Sequence, residues 1–174
     1  TERIFFPIIR DKIRKLEITE SDEIIIYLPT YSPLKLIELI KKIPQKKNWT
    51  IFSPDAKLRQ NISEVNIEPL SEDLFLKKFA SCYGIVCAGG FATTSEAIFL
   101  GKPMIVVPVE AQIEQQFNAA ALKKEGVTVI DRFSNENLDT ISNWIDSPSI
   151  LKIEYKDESK EIVDILINDY SNLK

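Results

Sequence analysis

Glu96 is the residue around which the chain's polar chemistry gathers. It lies in CAGGFATTSEAIFLGKP, residues 87–103, between two short apolar runs. A carboxylate has two acceptor oxygens, so it matches a pair of neighbouring hydroxyls such as those of a ribose. The glycines ahead of it, Gly89 and Gly90, let the backbone turn sharply and approach a ligand closely. A helix starting near Phe91 would aim its free N–H groups and positive dipole end at a diphosphate, with Glu96 one turn in. The same residues have a plainer use. Thr93-Thr94-Ser95-Glu96 fits a capping box, with Thr93 as N-cap and Glu96 reaching back to its N–H. On pattern alone the cap is the stronger reading. The loop carries no Gly-Lys-Ser/Thr, and Phe91 after Gly90 breaks the GxGxxG pattern.

A second polar group lies further along. Glu114 and Gln115 open a helical stretch just after a strand-like run ending at Pro108, and Asn118 lies one turn on. Such residues are ordinarily solvated helix surface. At the ligand-facing end of a parallel sheet they would also suit a polyhydroxylated sugar. The chain has no histidine, which excludes a His general base, a His-dependent triad and a His metal ligand. A base would have to be Asp, Glu or Lys, or lie on another polypeptide. Cys82 and Cys87 make neither a disulfide framework nor a zinc set, so no metal site is expected and a reduced, cytoplasmic setting fits best.

These residues need a scaffold, and the apolar pattern supplies one. Strand-like runs at 23–28, 49–53, 65–68, 84–88, 104–108 and 127–131 alternate with helical stretches at 32–43, 71–82, 93–100, 111–126 and 135–146. Pro33 suits a first helical position, Ser71 precedes an acidic first turn, and Gly101 and Gly126 read as helix stops. Alternation of this kind implies right-handed crossovers and a parallel sheet. IVCA, MIVV and VTVI are apolar throughout, as strands covered on both faces are. The expected fold is α/β, a Rossmann-like doubly wound parallel sheet of about six strands with helices on both faces. Its ligand end would gather the loops 28–33, 68–73, 88–94 and 108–116.

The 174 residues carry a net charge of −4, which argues against a nucleic-acid partner. Three parts are expected: a linker or edge segment at 1–20, the Rossmann-like domain at 21–150, and a charge-rich end at 151–174. In that end Ile162, Val163, Leu166, Ile167 and Tyr170 form an apolar helical stripe, set either against its own domain or against a second domain. The chain begins at Thr1 and its only methionine is Met104, so it reads as a piece of a longer protein.

The ordered set G-x-x-T-x-x-E-A (90–97), G-K-P (101–103), Pro108, E-Q-x-x-N-A (114–119) and Gly126 resembles the nucleotide-sugar-binding half of GT-B glycosyltransferases. It is most similar to the lipid II-forming N-acetylglucosaminyltransferases and to UDP-glycosyltransferases with a C-terminal signature motif. The likeness extends more weakly over about 22–146, and P-I-I-R (7–10) looks like the interdomain linker of such enzymes. The resemblance implies that Glu96 binds the ribose hydroxyls and that the amides of Gly89, Gly90, Phe91, Ala92 and Thr93 hold the diphosphate. Glu114 and Gln115 would read the donor sugar, Asn118 would support their loop, and the backbone near Pro69 and Leu70 would contact the base. The chain departs from the pattern at LPTYSP (28–33), where many members carry a Gly/Ser-rich loop; Thr30 and Ser32 hydroxyls could replace some phosphate contacts. Ala88 also stands where the signature-motif enzymes have a histidine.

By this resemblance the chain would be the donor-binding C-terminal domain of a UDP-sugar-dependent hexosyltransferase, metal-independent and without a cofactor. Its partners would be the nucleotide sugar and an N-terminal acceptor-binding domain of the same parent chain, which would supply the base. The location implied is cytoplasmic, with peripheral association at the inner face of the membrane for the full-length enzyme. A UDP-sugar 2-epimerase and a non-catalytic nucleotide-sugar-binding module are the alternatives on the same architecture.

Overall fold

The computed structural model describes residues 3–45 and 47–171. Its centre is β1 (Glu23–Tyr27), in which Ile24, Ile25 and Ile26 are all fully buried, as a strand covered on both faces requires. β1 pairs in parallel with β2 (Asn48–Ser53) on one side and with β5 (Gly84–Cys87) on the other. Beyond β2 lie β4 (Val65–Pro69) and β3 (Gln60–Ile62); beyond β5 lie β6 (Met104–Val106) and β7 (Thr128–Val129). Among the described residues these form one seven-stranded sheet in the order β3-β4-β2-β1-β5-β6-β7. The chain therefore builds outward from β1 in one direction, returns, and builds outward in the other. The reversal between β1 and β5 opens a crevice at the carboxyl ends of those strands, the place where such sheets bind ligands.

The strand beyond the expected set is β3, antiparallel to β4. Ser63 and Glu64 join the two with φ of 52° and 68°, both positive, as in a two-residue type I′ hairpin. The other strands fall where the apolar runs place them, with β6 and β7 shorter than their runs.

Helices cover both faces. α2 (Pro33–Ile40) starts at proline as anticipated and buries Leu36, Ile37, Leu39 and Ile40, while Leu34 points to solvent. With α6 (Leu138–Asp146) it covers one face, in a cluster that includes both Trp49 and Trp144. α3 (Glu72–Ser81), α4 (Phe91–Leu100) and α5 (Ile113–Lys124) contribute to the cluster on the other face. Ser71 caps α3, its hydroxyl accepting from the Leu74 N–H. Gly101 and Gly126, both at positive φ, come just after α4 and α5.

The N-terminal segment packs into the second cluster. Ile9, and Ile13 from the short α1 (Asp11–Arg14), are buried there beside Leu76 and Phe79. Lys102 reinforces this attachment: it is buried, and its Nζ donates to Thr19 O and Cys82 O at 3.0 Å each. At the other end, α7 (Ser159–Ser171) leaves Val163, Leu166 and Ile167 of the expected apolar stripe exposed. Thr1, Glu2, residues 172–174 and the Tyr170 side chain lie outside the described residues. Among the described residues no helix is long and apolar enough to cross a membrane.

Candidate functional site

The geometry of the site is set by where α4 begins. Gly90 is its N-cap, with φ −68° and ψ 136°, and no side chain caps the helix. Phe91, Ala92 and Thr93 are thus the first helical residues, and their N–H groups point out of the helix end. Thr93 lies inside the helix, so the Thr93–Glu96 capping box does not form. Thr94 instead turns its hydroxyl back to donate to Gly90 O at 3.0 Å, and the Glu96 carboxylate is engaged by a distant residue.

That residue is Arg10. Its Nε donates to Glu96 Oε1 at 2.7 Å and its Nη2 to Oε2 at 3.0 Å, a bidentate pair. Nη1 reaches Glu72 Oε1 at 2.8 Å, and Lys12 Nζ reaches the other oxygen of Glu72 at 2.8 Å. Charges alternate along Glu96, Arg10, Glu72 and Lys12. The hydrogen bond to Glu96 pushes the Arg10 pKa up, against the opposing effect of burial. The hydrogen bond from Lys12 holds Glu72 below the ordinary carboxylate value.

Glu96, Arg10, Ala92, Thr93 and Leu70 line a cavity of about 480 Å³. Ser71 and Glu72 also line it, and the rest of its wall is aromatic, from Tyr27, Phe52 and Phe75. Phe75 meets Tyr27 and Phe52 edge-on, with ring centroids 5.8 and 5.2 Å apart. An aromatic wall, a carboxylate and two residues of the first turn of α4 therefore border one space. These are groups suited to a heterocycle, a diol and an anion.

The remaining anticipated residues do not line this cavity. Pro69 ends β4 opposite Ser53, immediately before Leu70. Thr30 lines a second cavity of about 570 Å³, with Ser32, Lys35 and Arg132. Gly89, Gly90, Phe91, Glu114, Gln115 and Asn118 line neither cavity. Asn118 Nδ2 donates to Gly89 O at 3.0 Å, which ties α5 to the loop after β5. Gln115 Oε1 accepts from the Val109 N–H at 3.0 Å, and Glu114 is exposed. Gly89 is required by packing, since a Cβ there would lie 2.7 Å from Gln115 O. Gly90 is not, since a Cβ there would meet nothing within 4 Å. Sequence reasoning missed Arg10, although P-I-I-R contains it, and the aromatic wall, whose members come from three separate elements.

Comparison with known proteins agrees with this architecture. A curated relative from Finegoldia magna is named UDP-N-acetylglucosamine–N-acetylmuramyl-(pentapeptide) pyrophosphoryl-undecaprenol N-acetylglucosamine transferase. It is 28% identical over 153 residues, which cover 75% of this chain and 41% of that protein. The crystal structure of the glycosyltransferase of kitacinnamycin matches with a TM-score of 0.51 at 19% identity, over 72% of this chain and 34% of that one. The glycosyltransferase SnogD from Streptomyces nogalater aligns over 90% of this chain and 46% of its own, with a TM-score of 0.48 at 15% identity. The chain thus spans less than half the length of each of these relatives. Its fold is that of one half of a GT-B glycosyltransferase. The model of the family described as glycosyl transferase family 1 matches residues 1–147, and the chain belongs to that family.

Proposed function

We propose that this chain is the donor-binding domain of a glycosyltransferase that uses a UDP-sugar and transfers a hexosyl group. The observation that carries the reading is the cavity that Glu96, Ala92 and Thr93 from the first turn of α4, and an aromatic wall line together. In this reading the base lies against Phe52 and Phe75 near the backbone of Pro69 and Leu70. The ribose hydroxyls donate to Glu96. The diphosphate meets the amides of Gly90, Phe91, Ala92 and Thr93, with Gly89 held in place by Asn118. The sugar extends toward Glu114 and Gln115, and the Thr30 and Ser32 hydroxyls of the loop after β1 add phosphate contacts. The name of the Finegoldia magna relative includes a UDP-sugar, which supports uracil as the base.

Transfer breaks the bond between the sugar's anomeric carbon and the diphosphate oxygen, and negative charge grows on the departing nucleoside diphosphate. The α4 dipole and its N–H groups stabilise that charge without a metal. The base that deprotonates the acceptor belongs to an N-terminal domain of the parent protein, so this chain alone binds donor but does not transfer it. The exposed stripe of α7 is the surface we assign to contact with that domain. The first test is calorimetry of the folded chain with UDP, GDP and dTDP at millimolar concentration. Heat with UDP above the other two is expected. No heat with any of them refutes the donor site.

A further inference from the structure

The Arg10–Glu96 pair has a bearing on selectivity. Arg10 donates to both oxygens of Glu96, which is the fork a ribose diol would use. With the guanidinium in place the Glu96 side chain is only 6% exposed, so a diol and Arg10 cannot both face the carboxylate. Arg10 itself is 48% exposed and has a second acceptor in Glu72, so its side chain can leave Glu96 without losing every partner. Its backbone is fixed: Arg10 O accepts from the Ile13 and Arg14 N–H groups, and the flanking Ile9 is buried. The exchange is therefore a side-chain rotation, and the released guanidinium stays at the mouth of the cavity that Ala92 and Thr93 also line.

We propose that Arg10 is a specificity residue, a displaceable counter-ion that competes with ribose for Glu96 and makes the site select phosphorylated nucleosides over neutral ones. Any nucleoside must break the bidentate pair. Only one carrying phosphate repays that loss, because its anion takes up the freed guanidinium. A neutral nucleoside leaves Arg10 with Glu72 alone.

This inference rests on the donor-site reading above, and the experiment separates the two. Uridine and UDP are titrated into the wild-type chain and into Arg10→Gln, with binding read from amide NMR shifts and folding from the dispersion of the same spectra. Removing the competitor is expected to tighten uridine roughly three- to tenfold, as befits a half-exposed bidentate pair. The preference for UDP over uridine is expected to fall at least about threefold, the loss of one charge-assisted contact. Arg10→Lys keeps the charge but not the fork. It should also tighten uridine while retaining most of the UDP preference, and it carries the test if Arg10→Gln fails to fold. A wild-type chain that binds neither compound brings down the donor site and this inference with it. If the wild type binds both, and the variants bind uridine no more tightly, only the inference falls.

Discussion

The two glycines of the loop after β5 give the sharpest test of the candidate site, because the fold needs only one of them. Gly90 has φ −68° and ψ 136°, a conformation any residue adopts, and its added Cβ would meet nothing within 4 Å. Alanine there loses a little as an N-cap and gains from a less flexible unfolded chain. Both effects are about 0.5–1 kcal/mol and of opposite sign. With about 2–4 °C per kcal/mol for a chain of this size, Gly90→Ala should melt within about 2 °C of wild type. Gly89→Ala must push its Cβ to 2.7 Å from Gln115 O, a backbone atom on α5. Relief means shifting the start of that helix or the loop, at about 1–3 kcal/mol and so several degrees of melting temperature. UDP binding should behave differently. If a phosphate fills the empty space at Gly90, a methyl group there removes at least one charge-assisted hydrogen bond, about 1.5 kcal/mol or tenfold in affinity. Thermal melts and UDP calorimetry on the two variants decide the matter. A Gly90→Ala protein that binds UDP as well as wild type refutes the close approach of ligand to this loop.

The geometry sets three further expectations. Glu96→Gln keeps the volume but gives up one acceptor and the charge; UDP binding should weaken tenfold or more, while urea unfolding shows about 1 kcal/mol or less of lost stability, because Arg10 is half exposed and keeps Glu72. Glu64→Gly relieves a side chain held at φ 68° in the β3–β4 turn, and should raise stability by about 0.5–1 kcal/mol, read as a higher urea midpoint with unchanged slope. Burial pushes the Cys87 thiol up from 9.0 to about 12, so the stability tied to its protonated form is whole below pH 9 and is lost as the pH climbs toward 12. Relative to Cys87→Val, wild type should therefore lose about 1.4 kcal/mol between pH 8 and pH 10 in urea titrations; a constant difference would show that the thiol ionises normally.

The features legible in the sequence are those decided locally. Pro33 at a helix start, Ser71 as a cap, and fully apolar runs as central strands each need only a few neighbours to take effect. The β3 hairpin is not legible in this way, because Ser63-Glu64 adopts a turn that Asn-Gly or Asp-Gly ordinarily announces. The difference at α4 has another cause. Thr93-x-x-Glu96 is a valid capping pattern, but the N-cap is Gly90, three residues earlier, and Glu96 pairs with a residue 86 positions away. No local window contains Arg10. Likewise Tyr27, Phe52 and Phe75 look like ordinary core residues until the sheet order sets β1 beside β2 and packs α3 across them.

The division of the core into two clusters also assigns the protein's optical signals. Trp49 and Trp144, the only tryptophans, are both buried on the α2/α6 face, whereas the candidate cavity takes its wall from Tyr27, Phe52 and Phe75 on the opposite face. Indole fluorescence therefore tracks the melting of the sheet and stays insensitive to an occupant of the cavity. A tryptophan introduced in place of Phe75 would give that cavity a reporter of its own.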